Sequence, residues 1–273
     1  MASQADKARQ FRSLHEGSGT FLVANAWDAG SARILTALGY PAIATSSGAS
    51  AGILGRRDGK VTRDEALGQC QGIVAATDLP VSADLEKCFG DAPSVVAETI
   101  RLAAGVGLVG GPVEHATGDA AKPHYDFAHA IERVTAAVEA ARTLPFPFTL
   151  TARAEGCLRG APNVDEIIKR LQAFEKAGAD VLMAPGLPDL AAVRTVCGAL
   201  SKPFNFMAGI KGKSFTVSDL AAAGVKRVSL ATSLYRMAMT GLVDAAREVK
   251  DKGTFGYIDR SLATPDLNAF MQG

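Results

Sequence analysis

Short runs of β-branched and apolar residues recur along the chain at 21–25, 42–46, 80–84, 108–114, 147–153, 180–184, 203–207 and 227–231. The segments between them repeat apolar positions at helical spacing, as in 94–104 and 164–177. Gly39, Gly105, Gly178 and Gly224 each stand just before such a run, where glycine can take the left-handed conformation that ends a helix. The runs repeat about every 29 residues, the length of a strand, a crossover helix and two loops. Eight such units predict an α/β chain closed into a single (β/α)8 barrel of the TIM type, with its core over about 20–250. An open doubly wound sheet would want a Gly-rich phosphate turn after its first strand, and Asn25-Ala26-Trp27-Asp28-Ala29-Gly30 is not that turn. Past the eighth run, 234–249 and 259–270 read as helices separated by Gly253-Thr254-Phe255-Gly256. The helical extension at about 254–273 is expected either to cap its own barrel or to pack on a second subunit.

Composition narrows the setting. With 48% hydrophobic residues in 273, the chain can fill a large core, and 29 basic against 28 acidic side chains leave no electrostatic footprint for nucleic acid. The longest uncharged stretch, 34–55, holds Pro41, four glycines and several Ser and Thr, so it could not keep its backbone satisfied in lipid and no membrane association is expected. The amino terminus lacks an apolar signal core, and Cys70, Cys88, Cys157 and Cys197 follow neither metal-ligand nor disulfide spacing. A reduced, cytoplasmic protein is the expectation.

In a barrel of this type the chemistry sits where the strands end at their carboxyl side. The third run ends in Asp84 and Glu86, two apart and therefore on one face of an extended chain. The fourth ends in Glu114 and His115, the fifth in Arg153 and Glu155, and the second in Thr45-Ser46-Ser47-Gly48, followed by a loop with Asp58. Several carboxylates aimed into one mouth repel unless a hard cation such as Mg²⁺ sits among them, or unless they pair with Arg33, Arg56, Arg57 or Arg153. The hydroxyls and amides of 45–48 suit a carboxylate or phosphonate oxygen. The planar fork of Arg153 suits a substrate carboxylate, or equally a buried pair with Glu155. His115 is the histidine placed for acid–base work, whereas His15, His124 and His129 read as surface residues. Cys88 lies near the mouth without a histidine in reach, and Trp27 is either a pocket wall or ordinary packing. The sixth run has no Lys for an imine, and 229–233 lacks the paired glycines of a sugar-phosphate barrel.

Five of these segments, taken in order, resemble the isocitrate lyase/phosphoenolpyruvate mutase superfamily: 21–28 (FLVANAWD), 44–47 (ATSS), 81–86 (VSADLE) followed by Phe89-Gly90, 113–114 (VE) and 151–153 (TAR). The resemblance spans about 21–255. It implies a Mg²⁺ enzyme, with Mn²⁺ as a substitute left open, that holds a small 2-oxo or 2-hydroxy acid and stabilises an enolate while a carbon–carbon or carbon–phosphorus bond breaks. By position it implies Asp84 and Glu86 as the metal pair, with Asp58 and Glu114 holding the metal's waters. It also implies Ser46 and Ser47 as a carboxylate cradle flanked by Thr45 and Gly48, Arg153 as the substrate clamp, and Asn205 of the seventh strand facing the same site. A homo-oligomer, dimer or tetramer, with the last helix exchanged between subunits is implied as well. The chain departs from the lyases proper in three places. It lacks their Lys-Lys-Cys-Gly-His loop after Glu114, has Pro185 where they carry a glutamate, and has Cys88 where glycine is usual. The substrate therefore stays open between a carbon–carbon lyase or decarboxylase, a phosphonate mutase or hydrolase, and a catalytically silent oxo-acid binder.

Overall fold

The computed structural model describes residues 2–213 and 215–271, so Gln272 and Gly273 of the expected extension lie outside the described residues. The eight strands are β1 (Phe21–Asn25), β2 (Ile43–Ala44), β3 (Val81–Ser82), β4 (Gly110–Glu114), β5 (Thr149–Arg153), β6 (Val181–Met183), β7 (Phe204–Met207) and β8 (Arg227–Ser229). They pair in chain order, each parallel to the next, and β8 closes on β1. The closed α/β barrel expected from the repeat is what forms. β1 fills its apolar run and the other strands are shorter than theirs, β2 and β3 most of all, where Thr45, Ser46, Ala83 and Asp84 leave the ladder and enter the mouth loops.

Strand alternation sorts the side chains into two populations. Ala24, Ile43, Val81, Leu150, Leu182, Phe204 and Val228 belong to the main apolar core, against which the outer helices pack. The opposite face fills the barrel with polar groups that meet across it. Arg227 of β8 donates to Asn205 Oδ1 (2.7 Å) and to Thr151 Oγ1 of β5 (3.3 Å), and Asn205 donates to Ser229 Oγ (3.1 Å). The outer layer is α2 (Ala29–Ala37), α3 (Ser47–Ile53), α4 (Arg63–Ala75), α5 (Pro93–Gly105), α6 (Phe127–Arg142), α7 (Val164–Lys176), α8 (Leu190–Gly198), α9 (Val217–Ala222) and α10 (Ser233–Lys252).

The polar amino-terminal segment, which shows no apolar signal core, folds as α1 (Gln4–Glu16), started by a reciprocal cap between Ser3 and Asp6. It lies across the barrel bottom. Fully buried Phe11 packs with Ala8, Val23, Ala42 and Val109, and Gln4 reaches Leu108 O at 3.0 Å. His15 of the same helix is buried beside Arg227 and not on the surface. Burial, then the Arg227 charge, pulls its imidazole down to about 3. The left-handed stop falls at Gly39, Gly178 and Gly224 as expected, but α5 keeps Gly105 as its last residue and the turn is made by Gly107 (φ 95°). After α10 the expected single helix 259–270 is a 3-10 turn at Gly256–Arg260 and a separate α11 (Thr264–Phe270). Pro265 has no N–H to give to a preceding turn and is tolerated only where a helix begins.

Candidate active site

Four carboxylates and one guanidinium converge at the carboxyl ends of β3, β4 and β5. Asp84 sits on the exit of β3, where Thr45 Oγ1 accepts its N–H (2.8 Å) and its Oδ2 accepts the amide of Ser47 (3.1 Å). Arg153 ends β5. Its Nη1 lies 2.5 Å from Glu114 Oε1 and 3.6 Å from Asp84 Oδ1, and its Nε and Nη2 lie 2.9 and 2.7 Å from Glu155 Oε1. Arg153 is thus paired with Glu155 and also bridges to Glu114 and Asp84 on the next two strands. It lines the small cavity of the mouth together with Asn25, Thr45, Asp84 and Asn205.

One positive charge among so many acids leaves carboxylates under strain. Burial raises Glu114 well above the usual carboxylate range, Arg153 pulls it back, and Glu155, Asp84 and Glu86 push it up again. Glu86, half-buried, is raised to about 7 by burial and by the charges of Asp84 and Asp58. Burial opposes the charge of Arg153, yet Glu114, Glu155 and Asp84 together hold its guanidinium more firmly protonated than usual. Asp58 reaches the group from the loop after α3, its Oδ2 3.4 Å from where a Cβ would stand on Gly48. Among the described residues no three acidic, His or Cys side chains already close into a metal cage. The donors present are all carboxylate oxygens with too little positive charge among them. That set fits a hard divalent cation that keeps most of its waters.

The loop carrying Glu86 is strained. Glu86, Cys88 and Phe89 hold φ values of 50°, 60° and 59°, rarely tolerated by side chains with a Cβ and costing about 1–3 kcal/mol each. Cys88 occupies the position expected for glycine, and its backbone adopts the glycine conformation. Its thiol is fully buried and burial pushes it up to about 12, so it is no nucleophile.

Several expected site residues turn out to serve the scaffold. Alternation along β4 sends Glu114 into the mouth and His115 out toward the helices. There the Glu155 amide donates to His115 Nδ1 (2.7 Å), and burial, then the Arg170 charge, pulls the ring down to about 3. His115 is thereby held toward the neutral form, on the helix side of the strand end and away from the Glu114 carboxylate. His124, expected at the surface, stacks flat on it at 4.5 Å, so residues 116–126 are folded down by an Ala116–His124 bridge. His129 is half-buried against the Asp91 carbonyl. Ser46 is 2% exposed, caps α3 and shares a hydrogen bond with Thr232 Oγ1 (2.9 Å), leaving Ser47 and Gly48 at the rim of the mouth. Asn205 is buried below the mouth with its amide engaged by Arg227 and Ser229. Trp27 stands on the rim, edge-on to Tyr235 of α10 at 5.5 Å.

Sequence reading passed over two arginines. Arg227 sits in the barrel interior beneath the mouth, brought down to about 10 by burial and by Arg153. A charged residue inside a predicted strand was the available signal. Arg133 of α6 is fully buried on the face that carries Ala130, Ala137 and Ala140, so a charge on an apolar helical stripe was the available signal.

A closed parallel barrel whose mouth gathers carboxylates around one arginine has its polar chemistry where barrel enzymes carry theirs, at the carboxyl ends of the strands. The chain matches the phosphoenolpyruvate phosphomutase family over residues 11–250, and it belongs to that family, within the isocitrate lyase/phosphoenolpyruvate mutase superfamily. It is 47% identical to a Burkholderia cenocepacia J2315 protein with a provisional lyase/mutase assignment, whose structure superposes with a TM-score of 0.96 over 98% of this chain and 96% of that one. It is 28% identical to oxaloacetate decarboxylase 1 of Pseudomonas putida W619, over 90% of this chain and 86% of the relative. The 2-methylisocitrate lyase of Escherichia coli K12 is also 28% identical, over 79% and 75%. These relatives are lyases and mutases, and the chain is an enzyme of their superfamily.

Proposed function

We propose that this enzyme is a Mg²⁺-dependent carbon–carbon lyase or decarboxylase for a small 2-oxo or 2-hydroxy dicarboxylate, with oxaloacetate as the first substrate to test. The observation that carries the reading is the gathering of Asp58, Asp84, Glu86 and Glu114 around a single arginine. Asp84 and Glu86 would hold the cation directly, and Asp58 and Glu114 would hold its waters. Bound there, a divalent cation, Mg²⁺ or Mn²⁺, withdraws electron density from the oxo-acid oxygens and stabilises the negative charge of an enolate. Arg153 adds a second positive charge on the same side, and the hydroxyl of Ser47 with the amide of Gly48 orients the substrate carboxylate at the rim, beside Trp27. Thr45 fixes Asp84 through its backbone. Ser46 acts from behind by starting α3, and Asn205 by orienting Arg227. With Glu86 deprotonated on the cation, Glu114, which burial raises well above the usual carboxylate range, is the acid left to protonate the enolate carbon. For oxaloacetate the carbon–carbon bond to the departing carboxylate breaks, CO₂ leaves, the electron pair remains as enolate, and one proton completes pyruvate.

The family model favours a second reading, carbon–phosphorus chemistry of the mutase or hydrolase kind. Pyruvate release from oxaloacetate, abolished by EDTA and restored by Mg²⁺, supports the lyase. A new phosphorus-31 resonance from phosphonopyruvate, with no turnover of any oxo acid, replaces it with the mutase. No helix among the described residues is long and apolar enough to cross a membrane, and all four cysteines are free, in keeping with the cytoplasmic setting proposed here. Exchange of the carboxyl-terminal helix within a dimer or tetramer is part of the same reading, because α10 carries no buried residue of its own.

A further inference from the structure

The strained loop that carries Glu86 is gripped from behind by one side chain. Arg133 of α6 is fully buried; its Nη1 donates to the carbonyls of Gly90 (2.7 Å) and Asp91 (2.5 Å), and its Nη2 to the carbonyl of Lys87 (2.6 Å). Its guanidinium carbon lies 4.2 Å from the centre of the Tyr125 ring, and the Tyr125 hydroxyl donates to the Asp91 carboxylate. Among the described residues Arg133 has no ion pair to a carboxylate. Its charge is met by carbonyl dipoles and a ring face. The three carbonyls converge because Glu86, Cys88 and Phe89 turn left-handed in close succession. On the other side of the loop the amide of Glu114 donates to the Glu86 carbonyl at 3.2 Å. Glu86 is therefore held between a bond to β4 at its own carbonyl and a bond to α6 one residue later. Cys88 is also held, by its amide to the Leu85 carbonyl (2.7 Å) and by Thr99 Oγ1 at its own carbonyl (2.9 Å), but the carbonyls of Lys87, Gly90 and Asp91 are gathered by Arg133, and without it the left-handed residues lose that restraint against relaxing toward ordinary backbone conformations.

We propose that Arg133 is a positioning residue, which holds residues 86–91 in the left-handed path that aims the Glu86 carboxylate at Asp84 and Asp58 before a cation arrives. The inference rests on the metal-dependent reading above. Arginine is required over lysine because only a planar fork can serve three carbonyls while stacking on Tyr125.

Arg133→Lys keeps the charge, and Tyr125→Phe removes only the hydroxyl link to Asp91; the second variant serves if the first fails to fold. Three quantities decide: amide exchange of residues 86–91 in metal-free protein, Mn²⁺ affinity by calorimetry with the metal alone, and the global melting temperature. In Arg133→Lys, exchange should rise selectively at 86–91 and Mn²⁺ binding should weaken about 10–100-fold, with Tyr125→Phe shifting both in the same direction. In an Glu86→Gln background the further loss of Mn²⁺ affinity on Arg133→Lys should vanish, since there is no carboxylate left to aim. An equal loss with and without Glu86, or faster exchange spread over the whole barrel with Mn²⁺ affinity unchanged, would reduce Arg133 to a packing residue. Failure of the wild type itself to bind Mn²⁺ would sink the metal reading and with it the purpose assigned to Arg133, and the exchange data alone would then report whether it fixes the loop.

Discussion

Glu86 makes the site's chemistry measurable at the level of one carboxyl group. Held at about 7 in the metal-free fold by burial and by Asp84 and Asp58, it must lose a proton to accept a cation below that pH. Mg²⁺ affinity is therefore expected to fall up to about tenfold per pH unit below pH 7 and to level off above it. Glu86→Gln should bind weakly with most of that slope gone. The same shift acts on stability, because the folded carboxyl holds its proton up to about 7 while an unfolded one releases it near 4.5. Between those values the native state binds more protons, so this group weakens the metal-free fold as pH rises through the window. A wild-type melting temperature that declines no more steeply than that of Glu86→Gln from pH 5 to 7 would contradict the assignment. Asp84 behaves differently, since it accepts amide hydrogen bonds from Ser47 and Glu86 and truncation would leave those donors unpaired. Asp84→Asn, which keeps acceptor oxygen and shape, should abolish metal-dependent binding of an oxo acid with a melting temperature close to wild type. Wild-type calorimetry in that variant would remove Asp84 from the cation site. The gathering of Asp84, Glu114 and Arg153 at the mouth is legible in the sequence because the ends of barrel strands meet there. The placement of His115 is not, because adjacency to Glu114 in sequence means opposite faces on a strand, nor is that of Ser46, because a hydroxyl at a strand end is equally the start of a helix.

At the scale of elements, the repeat predicted all eight strands in order and most of the outer helices, because apolar periodicity reports the face each element buries. It could not report α1, whose buried face mixes Ala8 and Phe11 with Lys7 and His15, nor α3, which begins inside a run of serines and alanines with no amphipathic pattern. Both are fixed by caps, Ser3 with Asp6 in one case and Ser46 in the other, and capping residues look like loop residues when read alone. The consequence for α1 is specific. Phe11 plugs the barrel bottom and its ring lies 5.9 Å from the guanidinium of Arg227, the interior charge that is otherwise met only by neutral groups. Phe11→Ala should lower unfolding stability by about 3–5 kcal/mol, the usual cost of emptying a buried aromatic site, read as a shift of the urea midpoint. A loss under about 1 kcal/mol would mean that the helix can collapse into the space and that Arg227 does not depend on the plug.

For the whole molecule the carboxyl-terminal elements decide how subunits associate. Within one chain α11 returns to α2, where Arg33 Nη1 donates to the Met271 carbonyl at 2.8 Å. That docking covers little, for Met237 and Leu242 of α10 remain 68% and 61% exposed, and Phe255, Ile258 and Leu262 remain 58%, 56% and 62% exposed. Apolar side chains so closely spaced along one segment form a surface that a soluble monomer rarely leaves open. Two arrangements satisfy the Arg33 contact: the helix lies on its own barrel, or it makes the same contact on a neighbour's α2 while the exposed side chains meet that neighbour. Deleting residues 257–273 separates them. Under exchange, the truncated protein should drop to a smaller oligomer in light scattering and melt at a lower temperature, since the groove that receives the helix is uncovered on every subunit at once. Under self-docking, truncation should lower the melting temperature and leave the subunit number as it was. A full-length monomer ends the exchange model outright, because Phe255, Ile258 and Leu262 would then face water in the native state. An oligomer that survives truncation unchanged instead assigns the association to α10, whose Met237 and Leu242 remain in the shortened chain.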